Sequence, residues 1–284
     1  MGRIAIVTDT NSGITEQLAS ELDVKLVAMP FILDGTEYFE NVTCTHEQFF
    51  EMLEAGKDVS TSQPAPYSHT SLWDELLKEY DEIVYIPMSS ALSSTCSTAK
   101  SLAQNYNGKV VVVDNKRISV SQLSSVLDAI YLKDNGSSAA EICQKLEETA
   151  FDCSIYLAVN TLELLKKSGR VTPAGATLAT ILGLKPVLQI QGEKLDAYAK
   201  VRGMANAEKT MLEAAKNDLE NRFKGKNTKL YVAYSCDEEH AKEWTDKVKA
   251  YFNDDTIEMF RLPISICCHV GAGVKAIGVM NPLA

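Results

Sequence analysis

The sequence is short of positive charge and has no long apolar run. Its 284 residues carry 28 Lys+Arg against 38 Asp+Glu, a formal net charge of −10. A nucleic acid or an anionic membrane surface is therefore not expected as a main partner, although local donors can still hold an anionic ligand. No stretch reaches the roughly 18 apolar residues of a membrane span, so no stable membrane insertion is expected. Met1-Gly2-Arg3-Ile4-Ala5 enters a strand without the apolar core of a secretion signal, which points to the cytoplasm. The seven cysteines (44, 96, 143, 153, 236, 267 and 268) form no CxxC pair and read as reduced core residues. A P-loop and an acidic metal cluster are both missing. Neither a metal nor another cofactor is expected, and the chain should phosphorylate nothing by itself.

What is present centres on Ile83-Val84-Tyr85-Ile86-Pro87-Met88-Ser89-Ser90-Ala91-Leu92-Ser93-Ser94-Thr95. The β-branched run reads as a buried strand. The hydroxyl cluster then opens a helix whose apolar positions are Ala99, Leu102 and Ala103. A helix N-terminus offers unpartnered N–H groups and the positive end of the dipole, and hydroxyls add donors that can turn toward an anion. One serine suffices as a cap. Five Ser/Thr between Ser89 and Thr95 exceed that need and point to an anion site.

Strands and helices alternate along the first half, predicting an α/β fold with a mostly parallel sheet flanked by helices. The polar segments after Asp9, around Thr61 and at Ser93 should then share one sheet edge. Thr45-His46-Glu47-Gln48 has capping-box spacing. The pattern restarts near Phe151, giving domains 1–151 and 152–284. In the second domain Gly169 stops a helix over 161–168, and Thr172-Pro173 opens one expected to end at Gly183. A hairpin spans Gln191-Gly192-Glu193-Lys194, and residues 204, 207, 211, 215, 219 and 223 form a helical stripe. Ser235-Cys236-Asp237-Glu238 has capping-box spacing, and the runs 257–263, 264–270 and 276–280 read as strands, giving a mixed sheet with helices.

Several motifs lack their context. Gly271-Ala272-Gly273-Val274-Lys275-Ala276 matches the dinucleotide fingerprint GxGxxA, but eight residues leave no room for the helix and strand that must follow. Cys267-Cys268-His269, read on a strand, places neighbours on opposite faces, so at most two of the three could share a metal, and no second cluster completes a site. Ser93 could be a nucleophile with His269 as base, but its surroundings lack both glycines of the G-x-S-x-G elbow. A serine esterase using these two residues stays as the alternative.

Val7-Thr8-Asp9-Thr10, Thr61-Ser62-Gln63-Pro64, Ser90-Ala91-Leu92-Ser93-Ser94-Thr95, Leu165-Lys166-Lys167-Ser168-Gly169-Arg170, Lys185-Pro186, Lys200-Val201-Arg202 and His269-Val270-Gly271-Ala272-Gly273 occur in one order along the chain. Together they resemble the DegV family of fatty-acid-binding proteins, whose FakB members present a bound fatty acid to a separate kinase, FakA. The resemblance implies two α/β domains, with the acyl chain buried in the second and the head group between them. It implies ligand contacts from Thr61, Ser93, Ser94, Thr95, His269 and Arg170, and kinase docking through Arg202. It implies a non-catalytic carrier for phospholipid metabolism. The chain departs from the family pattern at Ser94, where glycine is common, and at Ala272, where proline is common. A long acyl tail ending in one carboxylate suits this inventory. The tail gains roughly 0.8 kcal/mol per buried CH2, while the carboxylate needs hydrogen bonds wherever it is buried.

Overall fold

A computed structural model describes residues 2–177 and 184–283. The predicted helix end at Gly183 lies outside these residues. The chain divides into two compact units, residues 1–151 with 283–284, and residues 152–282.

The first unit contains β1 (Ile4–Asp9), α1 (Glu16–Leu22), β2 (Val24–Val27), β3 (Pro30–Leu33), β4 (Thr36–Phe39) and α2 (His46–Glu54). After these come β5 (Val59–Thr61), α3 (Pro66–Leu76), β6 (Glu82–Ile86), α4 (Thr95–Ala103), β7 (Val110–Val112), α5 (Val120–Asp134) and α6 (Ala139–Glu148). A parallel sheet of order β2-β1-β6-β7 forms the frame, as the strand–helix alternation predicts. Every residue of β1 is buried, which is why that strand reads as a continuous apolar run rather than an alternating one. Val7, Ile83 and Tyr85 pack with Trp73 of α3 and with Cys96 and Ala99 of α4. Helix α4 is thereby held against the strand that feeds it. Thr45 caps α2 in the predicted capping box.

A second, antiparallel sheet of order β4-β3-β5 corrects one expectation. Thr61 lies on strand β5, paired with Phe31 of β3, rather than in a loop at the edge of the parallel sheet. That pairing joins segments thirty residues apart, so no local signal announces it.

The second unit holds β8 (Cys153–Ala158), α7 (Glu163–Ser168), α8 (Pro173–Thr177), β9 (Leu184–Ile190), β10 (Asp196–Arg202) and α9 (Met204–Asn217). It continues with β11 (Lys229–Tyr234), α10 (Glu238–Phe252), β12 (Glu258–Arg261), α11 (Ile264–Val270) and β13 (Lys275–Met280). Its sheet is mixed, in the order β10-β9-β8-β13-β11-β12, with β11 and β12 parallel. The stripe from Met204 to Phe223 faces the sheet, with Ala207, Met211 and Ala215 fully buried. Its last turn is a π-helical segment over Asp218–Arg222. Gly169 ends α7 in the left-handed conformation (φ 70°), and Thr172 opens α8 by accepting from the Gly175 N–H.

Two expectations fail here. Residues 264–270 form helix α11, not a strand, and six of the seven are buried. A helix buried on nearly all sides shows no polar stripe, so periodicity cannot separate it from a strand. The cap of α10 is Asp237, which accepts from the His240 N–H, while the Ser235 hydroxyl donates instead to the Gly271 carbonyl.

Candidate functional site

In the first unit the site is built from Asp9 outward. This carboxylate is fully buried at the end of β1 and accepts from the Met88 N–H at 2.8 Å, the Asn11 N–H at 3.0 Å and Gln122 Nε2 at 3.1 Å. Burial pushes its carboxyl up to about 6, against the pull of those donors. The Met88 bond fastens the segment that leaves β6, so the Asp9 and Ser93 segments share one end of the sheet as predicted.

The five hydroxyls then part company. Ser89 Oγ accepts from the Ala91 N–H, and Ser90 Oγ accepts from Lys116 Nζ, which also pairs with Asp114. These two hold the loop. Ser94 donates to Gln63 Oε1 at 2.9 Å. Ser93 Oγ accepts from the Thr95 N–H at 3.2 Å and lies 2.9 Å from Thr95 Oγ1, whose residue is fully buried. A hydroxyl carries one proton and two lone pairs. With Thr95 as donor, both lone pairs of Ser93 are used and its proton is free for an acceptor. A nucleophilic serine would need a base at that position, and a threonine hydroxyl is not one.

In the second unit His269 sits on the last turn of α11, which packs against α7. Burial, reinforced by the nearby positive charge of Arg170, pushes its imidazole down to about 4. At neutral pH the ring is uncharged and can donate one N–H. Arg170 follows Gly169, and its Nη1 donates to the Ser168 carbonyl. The loop after His269 is pinned by Asn160, whose Nδ2 donates to the Ala272 carbonyl at 3.0 Å while its Oδ1 accepts from Lys185 Nζ at 2.8 Å. Any Cβ on Gly273 would lie 2.0 Å from Asn160 Nδ2, so only glycine fits there. This loop runs from a helix into strand β13, the reverse of a dinucleotide-binding turn, so the GxGxxA match does not build that turn here. Cys267 Sγ donates to the Leu262 carbonyl, and among the described residues no group of three His, Cys, Asp or Glu could hold a metal.

Arg202 ends β10 and is exposed. It forms no ion pair among the described residues, and its carbonyl accepts from Asn206 Nδ2. Gln63 and Asp9 carry no local signal of their roles, because the contacts that give them those roles bridge distant segments. No helix among the described residues is long and apolar enough to cross a membrane.

Together, a parallel α/β unit with a hydroxyl-rich loop and a mixed-sheet unit with a half-buried histidine define a two-unit α/β protein. The sequence matches the family described as "Uncharacterised protein, DegV family" over residues 3–281, and the chain belongs to the DegV family. It is 30% identical over 283 residues to a DegV domain-containing protein of Deinococcus radiodurans, covering 99% of each chain. Among solved structures it resembles a DegV family protein from Thermus thermophilus described by its fatty-acid binding, at 30% identity and a TM-score of 0.89, covering 98% of this chain and 99% of that one. A fatty-acid-binding DegV family protein from Streptococcus agalactiae matches the fold at 24% identity and a TM-score of 0.88, over 100% of both chains.

Proposed function

We propose that the protein is a cytoplasmic carrier that binds one long-chain fatty acid and presents its carboxylate to a separate fatty-acid kinase for conversion to acyl phosphate. In this reading the carboxylate accepts hydrogen bonds from Ser93, Thr61 and His269, with Arg170 nearby and the acyl chain in the second unit. Arg202 docks the kinase. The observation that carries the reading is the Ser93–Thr95 pair: with Thr95 as donor, the Ser93 proton is left to an incoming acceptor. The neutral His269 ring supports it, since it supplies a donor without the cost of burying a charge. The Thermus thermophilus relative, described as a fatty-acid binder, supports the ligand class.

Competition tests the reading. A fluorescent fatty acid bound to the purified protein should be displaced by palmitate and unaffected by inorganic phosphate. Displacement by phosphate alone would favour a phosphate binder, and steady ester cleavage by the pure protein would favour the esterase.

A further inference from the structure

We propose that Gln63 is a positioning residue that sets the spacing of the Thr61 and Ser93 hydroxyls and so the selectivity for a carboxylate head group. This proposal rests on the fatty-acid reading above. The Gln63 amide oxygen accepts from Ser94 Oγ and from Thr98 Oγ1, each at 2.9 Å. The two donors lie one helical turn apart at the start of α4, where the Thr98 N–H also donates to the Ser94 carbonyl at 2.9 Å. Gln63 itself leaves strand β5 two residues after Thr61, whose backbone position is fixed by pairing with Phe31. One amide therefore ties the segment carrying Thr61 to the turn that begins one residue after Ser93.

Both lone pairs of the amide oxygen are occupied by these hydroxyls. No acceptor is left on it to face a carboxylate. Ser94 thus has a use that glycine could not supply: it clasps the neighbouring segment rather than the ligand. Removing the clasp leaves each hydroxyl in place on its own element but frees their separation. A carboxylate, which must be met by several donors at once, loses more by this than an uncharged head group that relies on its tail.

The test compares palmitate with methyl palmitate, each displacing a fluorescent fatty acid, on three variants. Gln63→Met keeps length and removes the acceptor; Ser94→Gly/Thr98→Val removes both donors; the third combines them. Gln63→Met should weaken palmitate about tenfold, the scale of one charge-assisted hydrogen bond, and methyl palmitate by less than about twofold. Ser94→Gly/Thr98→Val should do the same, and the combination should lose no more than either, since all remove one clasp. Where Gln63→Met fails to fold, the Ser94→Gly/Thr98→Val protein carries the same comparison. Equal weakening of acid and ester, the mark of a purely structural role, overturns the proposal, as do losses that multiply. A parent that binds palmitate with variants that match it overturns the clasp alone. A parent that binds no fatty acid overturns the underlying reading and the clasp with it.

Discussion

The Ser93 and Thr95 hydroxyls lie 2.9 Å apart, and the Thr95 N–H reaches back to Ser93 Oγ at 3.2 Å. With Thr95 donating, two residues of one turn leave a single proton donor, the Ser93 hydroxyl, at the start of α4. Ser93→Ala should lower fatty-acid affinity roughly ten- to a hundredfold, the value of a hydrogen bond to a charged group. Thr61→Val should act in the same direction. Thermal melting should stay within a few degrees of the parent, and a fluorescent fatty acid reads the affinity. Unchanged binding in both variants would remove these hydroxyls from the site.

Asp9 is the anchor behind that turn. Asp9→Ala orphans the Met88 and Asn11 N–H groups and should cost about 2–5 kcal/mol of stability, read by urea denaturation. Asp9→Asn should cost less, because burial already pushes the carboxyl up to about 6, toward the neutral form. Equal losses would mean that the negative charge, not the acceptor geometry, holds the loop.

His269 should leave a signature in the pH dependence of stability. Its folded value of about 4 lies below the unfolded value of 6.5, so the unfolded chain takes up the proton first as pH falls. This group's stabilisation is full above about pH 6.5 and is lost on the way down to 4. Between pH 7.5 and 5 the loss attributable to it is on the order of 2 kcal/mol. Urea denaturation of His269→Gln at both pH values should show a loss smaller by about that amount. An identical pH dependence in the variant would contradict a neutral, partly desolvated ring.

Arg202 tests the partner. It is exposed and without an ion pair among the described residues, so Arg202→Ala should leave melting and fatty-acid affinity unchanged. Acyl-phosphate formation in an assay supplied with a fatty-acid kinase and ATP should slow. Full turnover would reject the docking role, and weakened fatty-acid binding would move Arg202 into the ligand site.

Local signals in the sequence carried much of the fold. Thr45 and Gln48 form the capping box that their spacing announces, Gly169 adopts the left-handed cap, and the stripe from Met204 to Phe223 buries Ala207, Met211 and Ala215. Each depends on residues within a few turns of one another. The errors arose where the deciding contact is distant or the pattern is degenerate. The pattern of α11 also fits a strand, because Ile264, Ile266 and Cys267 are buried together with the polar Ser265 between them. Thr61 looks like a loop residue in the sequence, because its pairing partner, Phe31, lies in another segment. The sequence marks the hydroxyl-rich turn as a candidate anion site, but it does not show the division of labour within it. Ser94 and Thr98 are committed to Gln63 through contacts that span more than thirty residues.

The central claim is that this chain carries a fatty acid. Protein purified without added lipid should be extracted with organic solvent and the extract quantified by mass spectrometry against protein concentration. The account predicts one long-chain fatty acid per chain at near-stoichiometric amounts, because an apolar cavity left empty forfeits its packing contacts. Lipid-free protein that also fails to take up added palmitate would contradict it.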